Sequence, residues 1–416
     1  MDFRPSDRVA SLLERLRTFS EEHVVPVENE LLAALDQEVR PGVPYPAALV
    51  EIRERAKAEG LWNLFLPDEE YGPGLTNWEY GMLCDEMGRS QVTPMAFNCS
   101  APDTGNAEIL AEHGTPQQRS RWLDPLLEGT IRSCFSMTEP ETSGSDPTGL
   151  AARAELRDGE WVINGHKWFT SGYNGAEVAI AMVVTDPDAA PHKRASMICV
   201  PIDTPGFHGI RPVSVMGHDG GPGHWEVRYE DVRVPEDNLL GPRGAGFPIA
   251  QDRLGPGRIH HCMRAIGSAE RAFELMCERA QRRESFGGKL ADKQFVQDFV
   301  AKSRMEIDSA RLMVLHAAWK MDTEGKREAR QEISMVKVIA AQMHQEVVDR
   351  AMQVHGALGM SDDVPLALAW RQGRWLRIAD GPDEVHKASI ARRELNRFKP
   401  EKTSAQGNGA NAKVPG

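Results

Sequence analysis

The 416-residue sequence has only six cysteines, and no two stand in a C-x-x-C or in a spacing that suits a metal. Cys84, Cys99, Cys134, Cys199, Cys262 and Cys277 therefore read as reduced core thiols of a cytosolic-type compartment, not as a disulfide framework or a metal centre. Long apolar runs are missing as well. The longest, residues 178–184, is far too short to span a bilayer. The opening MDFRPSDR has neither a signal peptide nor a clear transit peptide, so the expectation is a soluble, cytoplasmic protein with no membrane span. Charge is not gathered into blocks: Lys+Arg 49 against Asp+Glu 61 leaves a net −12, without the concentrated basic face a nucleic acid requires. No G-x-G-x-x-G follows a strand and opens a helix, which argues against a Rossmann dinucleotide site. The glycine-rich residues 216–223 open no helix either and read as a flexible loop. There is no internal repeat.

A chain of this length exceeds one simple core and suggests two or three packed subdomains, and the periodicity of what is present changes twice along it. Val9, Leu12, Leu13, Leu16 and Phe19 recur at threes and fours, predicting a helix over residues 6–35. Further helices are expected at 47–59, 77–87, 103–113 and 115–129, the last opening on Thr115-Pro116 as cap and first turn. From residue 131 to about 240 the period changes to two, with Gly, Pro and Asp turns. Residues 225–229 and 231–235 are the last two strands expected there. Long helices follow. Ile259, Met263, Ile266, Phe273 and Met276 line one face; Phe295, Phe299, Ile307, Ala310 and Val314 line the next. Ile333, Val336, Ala340, Met343, Val347 and Ala351 line a third, as expected of a bundle core, and helices over 366–378 and from Pro382 complete the set. The expected organisation is α+β: an N-terminal helical domain at 1–130, a middle β-domain at 131–243, a C-terminal helical bundle at 244–399 and a disordered tail at 400–416.

The most informative stretch is 131–172, where strand-like segments end in hydroxyls and aromatics. Thr138, Ser143, Ser145, Thr170 and Ser171 could hydrogen-bond a flat heteroaromatic ligand against which Trp168 stacks. An ordinary β-meander with polar turns has the same periodicity.

Thr138-Glu139-Pro140, the Gly/Ser loop ending in Ser145-Asp146, and INGHKWFTSG at 163–172 resemble the flavin-binding middle domain of the acyl-CoA dehydrogenase family. The resemblance covers about residues 5–398. FNCSAPDTGN at 97–106 is closest to the subgroup that some eukaryotes fuse to an N-terminal phosphotransferase domain. It implies a helical, antiparallel-β, helical-bundle fold and FAD-dependent α,β-dehydrogenation of an acyl-CoA in fatty acid β-oxidation. It also implies an electron-transferring flavoprotein as acceptor and a homotetramer built as a dimer of dimers. By resemblance, Phe135, Met137 and Thr138 would meet the flavin's pyrimidine edge, Trp168 would cover it, and Thr170 would bond near its reactive nitrogen. Ser145 would sit by phosphate or by the acyl-CoA, in a loop one residue longer than the family's.

The same resemblance sends Arg283 and Phe286 of RESFG, with Gln294, to a neighbouring subunit's flavin pyrophosphate, a task suited to a guanidinium fork. Gln353 and Gly356 of QVHGALG would underlie the adenosine diphosphate half. On residues alone these are a solvated helix end and a helix stop. Arg258 matches an arginine of the substrate cleft, with a surface arginine as the bland alternative, and Gly257 stands where some members carry the catalytic glutamate. IADGPDEVH at 378–386 resembles Y-E-G-T-x-x-I-Q, with Asp380 in the place of the base, Pro382 in that of a threonine and Glu384 in that of a flavin-contacting glutamine. A capping aspartate before a Pro-initiated helix is the alternative for Asp380. Burial beside an acyl chain and flavin is expected to raise its pKa. Two other functions remain open on this fold: an oxidase acting on an acyl-CoA or a nitroalkane, and a non-catalytic relative.

Overall fold

The computed structural model describes residues 4–399, so the expected disordered tail lies outside the described residues. The chain opens with α1 (Asp7–Phe19), capped by Ser6, whose hydroxyl accepts the Val9 N–H. A wide turn at Ser20–Val24 and a tight one at Val25–Val27 then lead to α2 (Glu28–Glu38). One uninterrupted helix over 6–35 was the expectation; Pro26, which has no N–H to give to the α-helical ladder, breaks it. After α3 (Ala47–Ala58) comes α4 (Asn77–Met87), started by a capping box between Thr76 and Glu79, and then α5 (Asp103–His113).

The middle sheet is built from β1 (Ser133–Ser136), β2 (Arg153–Arg157), β3 (Glu160–Ser171), β4 (Val178–Val184), β5 (Ala195–Pro201), β6 (Phe207–Pro212), β7 (His224–Pro235) and β8 (Leu239–Leu240). Their order is β6-β7-β3-β1-β4-β5-β8, with β2 on β3 and β4. Most pairs are antiparallel, but β4 runs parallel to β1 and β2. Every residue of β4 is buried: Val178, Ile180 and Met182 face the helical core, and Ala179, Ala181 and Val183 face the sheet's own. The two strands expected at 225–229 and 231–235 are one, β7. Asp231 takes φ +49° in mid-strand, where its carboxylate and N–H bond the amide of Asn164 at 2.9 Å each.

The C-terminal bundle contains α6 (Gly246–Arg282), α7 (Gln294–Glu324), α8 (Arg330–His355), α9 (Leu366–Leu376) and α10 (Asp383–Asn396). The predicted stripes of α6 to α8 are its core, with one exception. Phe295 is 83% exposed, on the outer side of the first turn of α7, while Val296 beside it packs against the core. Asp322 of α7 accepts the backbone N–H groups of Asn77 and Trp78 at 3.0 and 2.8 Å, so the bundle helps to cap the N-terminal domain's α4. Helices α4 and α6 cross with their backbones in close contact. A β-carbon on Gly267 would stand 1.8 Å from the Asp85 carbonyl oxygen, and one on Gly88, just past α4, would stand 2.2 Å from that of Arg264. Both obstacles are backbone, so the helices must part to admit a methyl. We expect Gly267→Ala to cost about 3 kcal/mol and to lower the thermal midpoint, checked by calorimetry; an unchanged midpoint would mean the crossing is loose.

Candidate active site

The motif at the end of β1 and the one along β3 are joined by a buried ion pair. Lys167 Nζ donates to Glu139 Oε1 at 2.9 Å and to the carbonyls of Met137 and Met182 at 2.8 and 2.7 Å. The Glu139 carboxylate also accepts the N–H groups of Ala151 and Ala152 at 2.7 and 2.9 Å. Burial pulls the Lys167 ammonium down to about 8, with Glu139 opposing it. Next to this pair, the Trp168 backbone N–H donates to the Thr138 carbonyl at 3.0 Å, so the backbones of two of the predicted residues meet. Met137, Thr138 and Trp168 are half-buried, and Ser145 lies on the exposed loop with its hydroxyl 2.9 Å from that of Ser143. Thr170 is fully buried, its hydroxyl 3.3 Å from that of Ser136.

Between Lys167 and Thr170 the β3–β7 register shifts, and Phe169 adopts φ +48°. From this bulge a row of rings leaves the sheet. Trp168 lies edge-on to Phe169 at 5.0 Å, Phe169 is 5.6 Å from His224, and His224 stacks on Trp375 of α9 at 6.0 Å. Trp375 in turn meets the edge of His261 on α6 at 5.6 Å. The row leads from the sheet to Asp380.

Asp380 occupies a left-handed turn between α9 and α10, with φ +55° there and +103° at Gly381. The turn is closed by Asp383, whose carboxylate accepts from Arg377 at 2.9 Å and Gln342 at 3.0 Å, and by Lys337, which donates to the Leu376 carbonyl. Arg258 Nε donates to the Asp380 carbonyl at 2.9 Å, so the two residues expected in the cleft are in contact. Asp380 does not cap α10: the cap position is Pro382, with no side-chain hydrogen bond. Its carboxylate lies 3.4 Å from His261 Nε2, with the side chain 22% exposed. Burial pushes that carboxyl up, as expected. The proximity of His261, Arg253, Arg258 and Lys337 outweighs it and leaves the group below the ordinary aspartate range, opposite to the direction expected.

Arg253, His261 and Lys337 were not singled out from sequence. Arg253 and His261 share α6 with Arg258, and the three-residue step from Arg258 to His261 was the available signal. FNCSAPDTGN acquires a mechanical meaning. Asp103 accepts the N–H and hydroxyl of Ser133, both at 2.7 Å, while Asn106 donates to the Ser133 hydroxyl and accepts from Arg253 Nε, both at 2.9 Å. Arg253 then lies 4.0 Å over the Phe135 ring. Arg283, Phe286, Gln294, Gln353, Gly356 and Glu384 are all exposed, and none bonds to the Asp380 turn.

Sequence profiles for the N-terminal, middle and C-terminal domains of acyl-CoA dehydrogenase match residues 6–130, 134–232 and 244–395. Over 406 residues the chain is 49% identical to a Mycobacterium tuberculosis protein named probable acyl-CoA dehydrogenase FadE2, covering 96% of this chain and 98% of that one. The chain belongs to the acyl-CoA dehydrogenase family. It is also 50% identical over 399 residues to acyl-CoA dehydrogenase family member 10 of Mus musculus, but spans only 37% of that longer protein. A solved Mycobacterium abscessus structure assigned to the acyl-CoA dehydrogenases superposes with a TM-score of 0.91 at 46% identity, covering 95% of this chain and all of that one. The acyl-CoA dehydrogenase fold, with its helical, β and helical domains, is thus this chain's own.

Within that fold the Glu139–Lys167 pair is fully enclosed, and removing one partner strands a charge. Lys167→Met should destabilise the protein by about 3–5 kcal/mol, and adding Glu139→Leu should recover part of the loss. Denaturant unfolding of the two variants checks this; a mild effect of the single change would contradict it.

Proposed function

We propose that this acyl-CoA dehydrogenase family member carries out FAD-dependent α,β-dehydrogenation of an acyl-CoA thioester, with Asp380 as the base that removes the α-proton. The observation that carries the reading is Asp380 itself: a carboxylate held out on a left-handed turn, engaged by no helix cap and kept ionised by its surroundings. A proton acceptor must be ionised before it acts, as the Asp380 carboxylate is at neutral pH, and the same cations that lower its pKa weaken it as a base until substrate displaces their solvent. Arg258 fixes the turn through the Asp380 carbonyl. The Asp380 backbone N–H donates to no acceptor among the described residues, which leaves it free to stabilise the thioester oxygen as charge develops there.

A flavin suits the residues present. The ring row from Trp168 to His261 offers flat aromatic surface, and the ends of β1 and β3 offer backbone groups and hydroxyls at Phe135, Met137, Thr138 and Ser145. Bound there, FAD supplies the acceptor for the hydride that leaves the β-carbon. An electron-transferring flavoprotein is the proposed onward acceptor, by family membership.

We expect Asp380→Asn to keep the fold and FAD while lowering anaerobic flavin bleaching by acyl-CoA by about 10²–10⁴-fold. Bleaching at the wild-type rate would remove Asp380 from the mechanism. Because the base is lost only as pH falls through a depressed folded pKa, the acid limb of the bleaching rate should lie below the ordinary carboxylate range.

The proposed assembly is a homotetramer built as a dimer of dimers, with FAD shared between neighbouring subunits. Phe286 supports it. Its ring is 98% exposed on a backbone at φ +52°, a conformation that costs a bulky residue about 1–2 kcal/mol and gains nothing from this chain's own contacts. Phe295, Met360, Leu395 and Phe398 are 69–83% exposed on the same bundle. Arg283 and Gln353 lie exposed on that bundle, where a neighbour's cofactor could meet them. Sedimentation should give a tetramer, and Phe286→Asp should shift it to smaller species with loss of FAD; a flavin-loaded monomer would contradict this.

A further inference from the structure

Resting on Asp380 as the base, we propose that His261 is its positioning residue: a neutral imidazole that presents Nε2–H to one carboxylate oxygen, its tautomer fixed by Arg264. The contacts set the proton's place. Arg264 Nη2 lies 3.1 Å from His261 Nδ1. A guanidinium only donates, so Nδ1 is the acceptor and the ring proton sits on Nε2. Nε2 lies 3.4 Å from Asp380 Oδ2, a long approach and not a formed hydrogen bond, so the proposed N–H contact must tighten when substrate is bound, leaving Oδ1 to take the α-proton.

Each member of this chain is itself held. Arg264 Nη1 reaches Cys84 Sγ of α4 at 3.8 Å, and the Cys84 thiol donates to the His260 carbonyl at 3.4 Å. The Arg264 backbone is pressed against Gly88 at the helix crossing, and Trp375 stands edge-on to the imidazole at 71°. His261 therefore has little freedom to turn. Burial and the neighbouring Arg264 push its pKa to about 3, so the ring stays uncharged through the working range. The other groups facing Asp380 are Arg253 and Arg258 from α6 and Lys337 from α8. His386 of α10 lies beyond Gly381, its buried Nε2 without a hydrogen-bond partner and 3.0 Å from where a Gly381 β-carbon would stand.

Without the His261 N–H, burial gains on the cations Arg253, Arg258 and Lys337. The Asp380 carboxyl then titrates at higher pH, and its orientation loosens. His261→Ala should slow anaerobic bleaching at neutral pH by about 10–100-fold, the scale of roughly 1 Å of misplacement, with little change in acyl-CoA affinity. Its acid limb should move to higher pH. His261→Gln, which returns an N–H, should recover most of both. A second readout is independent of turnover. In protein carrying 15N-histidine, solid-state NMR, with His261 assigned by difference against His261→Gln, should show it neutral and protonated on Nε2 from pH 5 to 9, and Arg264→Met should release that tautomer. An imidazolium or an Nδ1–H ring at pH 7 overturns the proposal, as does a His261→Ala enzyme with the wild-type rate and acid limb. If the ring state stands while Asp380→Asn still bleaches, the base assignment has failed and not the geometry of the pair.

Discussion

Where α4 and α6 cross there is no room for a β-carbon, and the candidate site depends on that contact. Gly88 and Gly267 bring backbone against backbone, which fixes how far α6 can slide along the N-terminal domain. Arg253, Arg258 and His261 all project from the stretch of α6 that precedes this crossing, and Arg264 lies at the crossing itself. Ion pairs bracket it on the outside: Arg311 of α7 joins Asp85 of α4 at 2.7 Å and Glu270 of α6 at 2.9 Å. A shift of one turn at the crossing would carry Arg258 away from the Asp380 carbonyl and His261 away from its carboxylate.

Two carboxylates, one buried and one partly exposed, divide the remaining work by their partners. Glu139 is saturated: an ammonium and two backbone N–H groups fill it, and its role is to hold β1, β3 and the following loop together beside Thr138 and Trp168. Asp380 is kept charged by groups that surround it without forming a short hydrogen bond to its oxygens, so it retains the capacity to accept a proton. Burial opposes ionisation at Asp380, and the cations decide the balance. Among these Arg253 is tied in turn to Asn106 and hence to the start of β1, so all three domains contribute to one carboxylate.

The legible parts of the sequence were those with local causes. The spans 77–87 and 103–113 were read to the residue, and the first is started by a local device, the Thr76–Glu79 capping box. Asp380, Arg258, Thr138 and Trp168 were singled out through motifs, and the structure places them in two contacting pairs, Arg258 with Asp380 and Trp168 with Thr138. What was missed depends on distant partners. β7 is continuous because Asn164 bonds across to Asp231, and no period shows that. The direction of the Asp380 shift was misread because Arg253 and Lys337 come from elements far from the turn. His261 carries no motif; its meaning lies in a ring nitrogen set by Arg264 one turn on. Phe295 looked like core because it keeps the spacing of the stripe, yet in the first turn of α7 it is Val296 that packs inward.

The most direct test of the account follows the α-proton alone. An acyl-CoA analogue blocked at the β-carbon cannot lose hydride, yet the base can still exchange its α-hydrogen with deuterated water. The account predicts exchange catalysed by the flavin-loaded wild-type protein, slowed about 10²-fold or more in Asp380→Asn. Equal exchange rates in the two proteins would contradict it.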